Sequence, residues 1–174
     1  MATCRDLCES ATGLHHNEHM PSFPTTYFGE LEYDSSSVFE FPSGIPGFEE
    51  HTRFLLVEQP HSHPLVFVQS LRSPDLCFIA LPVLVVDHQY RLELTEEDLA
   101  SVELPNIGQP RIGEEVACLA LVTVTENAAP TANLRSPLVL NLEKRIGRQI
   151  IHQDATYSFR QPIPSGEEAP QCSC

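Results

Sequence analysis

The chain has 174 residues, of which 41% are hydrophobic, 24 are acidic and 10 are basic, giving a formal net charge of −14. A chain of this size and composition can bury one sizeable core, so a single domain is expected. The excess of carboxylates repels polyanions, which disfavours direct binding to nucleic acid or to an anionic membrane and favours a basic protein partner. No apolar run approaches the length needed to span a bilayer.

Both ends of the chain differ in pattern from its middle. Residues 1–26 have no periodicity and few large aliphatic side chains, which predicts a flexible N-terminal extension, and residues 164–174 predict a flexible C-terminal tail. The folded β domain is therefore expected over residues 27–163. The N-terminal segment lacks the apolar stretch of a secretory signal, so we expect a cytoplasmic protein with unpaired cysteines.

The middle of the chain carries signals that are almost all typical of β-strands. Short apolar or alternating runs are separated by turn residues: VFEF (38–41), FLLV (54–57), PLVFVQSL (64–71), CFIALPVLVV (77–86), YRLEL (90–94) and EVACLALVTVTE (115–126). Pro82 marks an edge or a bulge, because it cannot donate a ladder hydrogen bond. Thr95, followed by Glu-Glu-Asp-Leu, predicts the N-cap of one short helix. These patterns predict an all-β fold, a compact antiparallel β-barrel-like domain with one short helix.

The stretch from residue 130 to residue 151, PTANLRSPLVLNLEKRIGRQII, predicts a β-hairpin. Pro137 suits the entry of a strand, and the alternation after it places Leu138 and Leu140 on one face. Gly147 is expected to supply the positive φ angle that reverses the chain.

Polar and basic residues flank this hairpin. Thr131 and Asn133 are each expected to hydrogen-bond to nearby backbone in a turn. The local charge balance reverses here, because few acids accompany a group of basic residues: Arg135, Lys144, Arg145, Arg148 and Arg160. These fit either charge compensation on a solvated face or a basic patch at one end of an acidic protein.

Candidate metal ligands occur in two segments. His61 and His63 share a face of an extended chain, but two imidazoles do not make a zinc site. The N-terminal segment has ligand types at a spacing shorter than that of a zinc finger: Cys4, Cys8, His15, His16 and His19. We therefore expect no bound metal.

Sequence motifs for catalysis and nucleic-acid binding are absent. No nucleophile elbow, phosphate loop, dinucleotide fingerprint or zinc-protease motif occurs. Adjacent acids such as Glu96 and Glu97 are explained by helix capping. The aromatic content is 7%, there is no tryptophan, and the net charge has the wrong sign for a single-strand binder. We expect no enzyme and no cofactor.

The order of motifs resembles that of the FliW family of bacterial flagellar assembly factors. The resemblance covers roughly residues 27–163, and the pair GIPGFE and TANLRSP is its most specific part. The matching elements are FGELEY (28–33), FPSGIPGFE (41–49), Pro82 to Tyr90, VTVTE, PTANLRSPLVLN (130–141), RIGRQII and YSFRQPI (157–163).

The resemblance implies a non-catalytic protein with two competing protein partners. One is flagellin, held in the cytoplasm before export in a chaperone-like way. The other is CsrA, a small basic RNA-binding protein that represses flagellin translation. Once flagellin is exported, the freed protein would bind CsrA and relieve the repression, so flagellin synthesis would be coupled to export.

Two loops and one helix start are the predicted protein-binding segments. The loops supply apolar anchors and directional polar contacts, and the helix start supplies acids that steer a basic partner. The residues are Gly44, Ile45, Pro46, Gly47, Phe48, Glu96, Glu97, Asp98, Thr131, Asn133, Leu134 and Arg135. Two other classes stay open: a small β-barrel module that binds a ligand or metal and is unrelated to motility, and a hydrolase whose site is assembled in space.

Overall fold

The computed structural model describes residues 20–153 and 156–163. Its strands are β1 (Ser22–Thr25), β2 (Gly29–Glu32), β3 (Val38–Glu40), β4 (Arg53–Glu58), β5 (Val66–Ser70), β6 (Cys77–Pro82), β7 (Val116–Thr125), β8 (Ala128–Ala132), β9 (Leu138–Asn141), β10 (Gly147–Gln149) and β11 (Gln161–Pro162). Its helices are α1 (Val83–Val86) and α2 (Glu96–Ser101), with 3₁₀ turns at Ser35–Ser37 and Pro60–Ser62. The predicted all-β class is confirmed.

One antiparallel path runs through most of the strands, in the order β10-β9-β7-β6-β5-β4-β3. The far end of β7 pairs instead with β8, which also pairs with β11, and β1 and β2 form a separate hairpin. A single parallel bridge between Glu40 and Ile146 brings the two ends of the path together. The domain is therefore barrel-like, without a continuous ladder that closes it.

The core has two layers, because both faces of the central strands are buried. The inner layer receives side chains from β3, β4, β5, β6, β7 and β9, including Leu119, Leu138 and Leu140. Residues at the alternate positions, such as Cys118 and Val139, face an outer layer. The outer layer is covered by α1, α2 and the segment between them. Two buried faces explain why these strands read as continuous apolar runs.

The alternating run at 90–94 is extended but is not the strand that its pattern predicts. Its alternate residues do face the outer core layer. Its backbone, however, bonds to side chains: the amide of Gln109 accepts from Leu94 N–H at 2.7 Å and donates to Leu94 C=O at 2.9 Å. Tyr157 Oη likewise accepts from Arg91 N–H at 2.9 Å. Side chains thus replace the neighbouring strand that a ladder needs.

The run at 77–86 also differs from its prediction, because its second half is a helical turn. Pro82 ends β6 and is the N-cap residue of α1, a second helix that the sequence did not predict. Val83 and Val86 lie three positions apart and are both buried in the outer layer. Tertiary burial therefore overrides the strand preference of a Val-Leu-Val-Val run.

The predicted hairpin and helix are confirmed, with one correction. β9 pairs antiparallel with β10, and Thr95 caps α2 through a reciprocal bond pair with Asp98. The positive φ of the hairpin turn, however, belongs to Arg145 at 57° and not to Gly147. Gly147 is needed for space, since a Cβ there would lie 2.5 Å from Cζ of the buried Phe41.

The ordered sheet begins inside the segment predicted as an extension. β1 starts at Ser22, and Tyr33 N–H donates to Pro21 C=O at 3.0 Å, so this part of the chain pairs with β2. The candidate metal ligands between residues 4 and 19, and the tail from residue 164, lie outside the described residues. In the ranges 20–153 and 156–163, no helix is long and apolar enough to cross a membrane.

Candidate protein-interaction surface

The loop at 133–136 is held rigidly at both ends. Asn133 Oδ1 accepts from Ser136 N–H at 2.8 Å, which is the local backbone bond predicted for this residue. Asn133 N–H donates to Leu121 C=O at 2.8 Å, and Gln149 Nε2 donates to Ser136 C=O at 2.8 Å. The loop is thus tied to β7 on one side and to β10 on the other.

The middle of the same loop is tied to the chain's C-terminal segment. The N–H groups of Leu134 and Arg135 both donate to Ser158 C=O at 3.1 Å, and Tyr90 Oη donates to Leu134 C=O at 3.1 Å. His152 N–H donates to Arg135 C=O at 2.7 Å. Because the backbone is fixed from three directions, a partner that binds here does not have to order the loop, which lowers the entropy cost of binding.

That outward side chain is Arg135, which is half-buried. Its guanidinium carbon lies 5.5 Å from the centre of the Phe159 ring, within cation–π range. Phe159 is 54% exposed and Ile151 is 61% exposed, and Ile151 directly precedes the residue bonded to Arg135 C=O. A rigid arginine beside exposed apolar side chains is the composition typical of interface hot spots.

Aromatic side chains support this surface from below. The rings of Tyr90 and Tyr157 lie 4.5 Å apart, and His152 stacks edge-on to Tyr157 at 4.7 Å. Burial raises the pKa of Tyr90, whose hydroxyl therefore stays a neutral donor. His152 is 2% exposed, and its Nε2 lies 2.8 Å from Arg91 C=O.

Sequence reasoning did not place Tyr90, His152 or Phe159 in the candidate surface. Phe159 belongs to the YSFRQPI element, and the similarity of that element to the family pattern is the sequence feature that could have pointed to it. Its contact with Arg135, however, joins positions far apart in the chain, and only the fold shows it.

Two of the loop residues predicted as partner contacts have other roles. Leu134 is 1% exposed and belongs to the outer core layer, so it cannot anchor a partner in this conformation. Thr131 lies in β8, opposite Thr123 and Pro162, in place of the predicted turn. The surface contribution of this loop is therefore reduced to Asn133 and Arg135.

The loop at 44–48 also contains both buried residues and exposed ones. Gly44 has φ of 66°, and a Cβ there would lie 2.5 Å from the Glu49 backbone, so the turn requires glycine. Ile45 is 2% exposed and packs in the inner layer, which corrects its prediction as a surface anchor. Pro46 and Gly47 are exposed.

Phe48 remains as the apolar anchor of this loop. The residue is 36% exposed, and its ring stands edge-on to Phe78 at 5.0 Å and to His51 at 6.2 Å. These contacts fix the ring orientation while leaving part of one face open. Phe48 therefore stays a candidate apolar contact for a partner.

The acids at the start of α2 are only partly available for steering. Asp98 Oδ2 accepts from Thr95 N–H at 3.0 Å and from Thr95 Oγ1–H at 2.7 Å. Asp98 thus serves the capping box. Glu96 and Glu97 are exposed and remain the outward charges of this helix start.

The basic residues near the hairpin spread along it. Arg135 precedes β9, whereas Lys144 and Arg145 lie in the turn after β9. Lys144 pairs with Glu143 at 3.0 Å, and the Arg145 guanidinium carbon lies 5.0 Å from the Phe39 ring centre. Glu143 therefore compensates the charge of Lys144, and Arg145 packs against an aromatic ring. Arg135 is the basic residue of the surface described above.

A serine, a histidine and a glutamate do converge elsewhere in the fold. Ser70 Oγ lies 2.8 Å from His51 Nδ1, and Glu50 Oε1 lies 3.4 Å from His51 Nε2. Ser70 is fully buried, and its Oγ also accepts from Arg72 N–H at 3.1 Å. A substrate cannot reach this hydroxyl, so the set ties β5 to the loop before β4 and does not form a nucleophilic site.

Clefts in the described part of the chain are small and open. Three have volumes of about 260, 200 and 350 Å³, and none of the three is lined by His51 or Ser70. Within residues 20–153 and 156–163, no three potential ligands among His, Cys, Asp and Glu converge on a metal position.

The fold and its surface define a small antiparallel β protein that presents a rigid loop with an arginine and exposed apolar side chains. A family model described as FliW protein matches residues 22–163. The chain belongs to the FliW family.

Individual relatives agree with this assignment. The flagellar assembly factor FliW of Carboxydothermus hydrogenoformans is 36% identical over 140 residues, covering 79% of this chain and 85% of that protein. The same factor from Natranaerobius thermophilus is 31% identical over 139 residues, covering 79% and 88%. A crystal structure of the flagellar assembly factor FliW matches with a TM-score of 0.71 and 28% identity, covering 84% of this chain and 99% of that one.

Proposed function

We propose that this protein binds flagellin in the cytoplasm in a chaperone-like way and antagonises the translational repressor CsrA, so that flagellin synthesis follows export. Membership of the flagellar assembly factor family is the observation that carries the proposal. The net charge of −14 supports it independently, because an acidic protein attracts a basic partner such as CsrA.

We assign flagellin to the rigid loop and its apolar neighbours. Arg135 with Phe159 supplies a cation and an aromatic face, and Phe48 supplies a second aromatic contact. Such side chains dominate the binding energy of protein interfaces, since they bury much area at a small entropy cost.

We assign the encounter with CsrA to the exposed acids at the start of α2. Glu96 and Glu97 are exposed and form no ion pair within residues 20–153 and 156–163, whereas Asp98 is engaged by the helix cap. Charges of this kind raise the association rate more than they slow dissociation, and salt screens the effect.

Titration calorimetry with flagellin and with CsrA from the same organism tests the proposal. We expect saturable binding to each and competition between the two. Replacing Arg135 by alanine should weaken flagellin binding about tenfold, in the range of an interface hot spot. Arg53→Ala is the matched control, because Arg53 is exposed and pairs only with the exposed Glu40 in the described structure.

The variant Glu96→Gln with Glu97→Gln tests the second assignment by stopped-flow association. We expect a slower association with CsrA at low salt and little difference at high salt. Glu114→Gln is the control for an exposed carboxylate elsewhere. Absence of binding to both proteins would refute the function, and an unchanged association rate would refute only the placement of the CsrA contact.

A further inference from the structure

An open groove of about 350 Å³ lies between the β1–β2 hairpin and β4. Its lining shares no residue with the surfaces assigned to flagellin and CsrA. The hairpin side contributes Leu31 and Tyr33, and the β4 side contributes Leu55, Leu56 and Val57. The volume falls in the lower part of the range of known ligand sites, so the groove can take a few side chains of a peptide.

One wall of the groove is an open strand edge. β3 pairs with β4 only from Arg53 to Leu55, while β4 continues to Glu58 in its pairing with β5. In the described residues, no strand therefore covers the β3 side of the last part of β4. Such an edge can accept the backbone of another chain.

The backbone direction of this edge can be read from neighbouring bonds. Phe41 N–H donates to Thr52 C=O on the β3 side, and Leu71 N–H donates to Arg53 C=O on the β5 side. Peptide groups alternate along a strand, so even-numbered residues of β4 face the β3 side. The peptide group of Glu58 and the carbonyl of Leu56 thus face the open edge, whereas Leu56 N–H lies opposite Ser37 in the register of β3 and β4.

The opposite wall is fixed in place. The ring of Phe28, at the tip of the hairpin, stands edge-on to Phe67 of β5 at 5.2 Å. Thr26 N–H donates to Pro74 C=O at 2.9 Å. The hairpin is therefore docked on the sheet, and the groove exists before any partner arrives.

The rim of the groove is acidic. Glu32, Asp34 and Glu58 are exposed carboxylates of the lining, and no lysine or arginine is among its described residues. Asp34 accepts from Ser36 N–H at 2.7 Å, and this bond lowers its pKa, so the carboxylate stays ionised at neutral pH. An occupant with basic side chains complements this rim.

We propose that this groove binds an extended segment of a partner protein, with alternating apolar and basic side chains, as an added strand on β4. Main-chain bonds to the Leu56 carbonyl and to Glu58 would supply affinity, the apolar floor would take alternate side chains, and the carboxylates would select the basic ones. The proposal goes beyond flagellin and CsrA binding, and its test uses neither protein.

The test is a titration of the full chain with a short synthetic peptide of alternating lysine and valine, followed by amide NMR spectra. We expect saturable shifts of the amides of Leu56, Val57 and Glu58, which weaken as salt rises. A peptide with glutamate in place of lysine should bind at least about tenfold more weakly. A peptide with one central proline should also bind weakly, because it lacks a main-chain donor.

Glu58→Lys should lower the affinity about fivefold, and Glu126→Lys serves as the control with the same charge change at an exposed turn. Unshifted amides elsewhere verify the fold of both variants. Equal affinity of the lysine and glutamate peptides, or shifts that avoid β4, would overturn the proposal. So would NMR contacts from residues 1–19 to the groove in the free protein, or the same shifts on raising protein concentration, because the occupant would then be the chain itself.

Discussion

Replacing Asn141 by alanine is expected to destabilise the protein by disconnecting α2 from the β9–β10 hairpin. Asn141 is 3% exposed, and its Nδ2 donates to Val102 C=O at 2.9 Å and to Glu103 C=O at 3.3 Å. Its Oδ1 accepts from the N–H groups of Glu143 and Lys144, both at 3.0 Å. One side chain thus holds the end of the helix and the start of the turn.

The magnitude follows from these four bonds. A neutral intramolecular hydrogen bond contributes about 0.5–1.5 kcal/mol net, and a buried group left without its partner costs more. In the variant, the N–H groups of Glu143 and Lys144 can form hydrogen bonds with water, because both residues are exposed. The carbonyl of Val102 cannot, since Val102 is fully buried. We therefore expect a loss of about 2–3 kcal/mol in the free energy of unfolding.

Urea unfolding followed by far-ultraviolet circular dichroism measures this loss. In a chain of this length the expected fall in melting temperature is about 5–10 °C. Glu143→Ala is the matched control, because Glu143 is 82% exposed in its side chain and pairs only with Lys144 among the ion pairs described. That variant should change stability by less than about 0.5 kcal/mol. A loss below about 1 kcal/mol for Asn141→Ala would refute the reasoning that this side chain joins the helix to the hairpin.

Three further predictions concern single positions. Gly147→Ala should cost about 1–3 kcal/mol in urea unfolding, because the new Cβ would lie 2.5 Å from Cζ of the buried Phe41; an unchanged midpoint would show that the ring can move aside. Glu103→Gly should raise the melting temperature slightly, by an amount equivalent to about 0.5–1 kcal/mol, because Glu103 ends α2 with φ of 54°; a fall would mean that its side chain outweighs the backbone strain. Cys118 should resist iodoacetamide in the native protein and react in urea, as peptide mass spectrometry can show, because it is 2% exposed and burial raises its pKa. Labelling of native Cys118 would contradict its place in the outer core layer.

Local patterns predicted most of the elements, and the failures have a common physical origin. The runs at 54–57 and 115–126 became β4 and β7 because alternation and β-branched content act within a few residues. The segment at 90–94 alternates equally well, yet Gln109 and Tyr157 bond to its backbone in place of a strand. The periodicity of a segment predicts which of its faces is buried. It does not predict which groups form hydrogen bonds with its backbone.

The candidate surface was also predicted in part from local sequence patterns and in part not. The GIPGFE and TANLRSP motifs located the two loops, but hydrophobic type alone could not separate Ile45 and Leu134, which are buried, from Phe48, which is partly exposed. Whether an apolar loop residue points inward depends on the neighbouring strands. Likewise Arg135 lies over the ring of Phe159, and two residues so far apart in the chain leave no local sequence signal of their contact.

The sequence by itself determined the acidic charge, the all-β class, the helix cap at Thr95 and the family, because composition, capping and ordered motifs are properties of short stretches. Three features became visible only in the folded chain: the hydrogen-bonded loop at 133–136, the contact of Arg135 with Phe159, and the end of β4 that no described strand covers on its β3 side. The physical reason is that hydrogen bonds between distant segments form only when the chain folds. Which strand edges stay open is likewise set only by the folded arrangement of the strands.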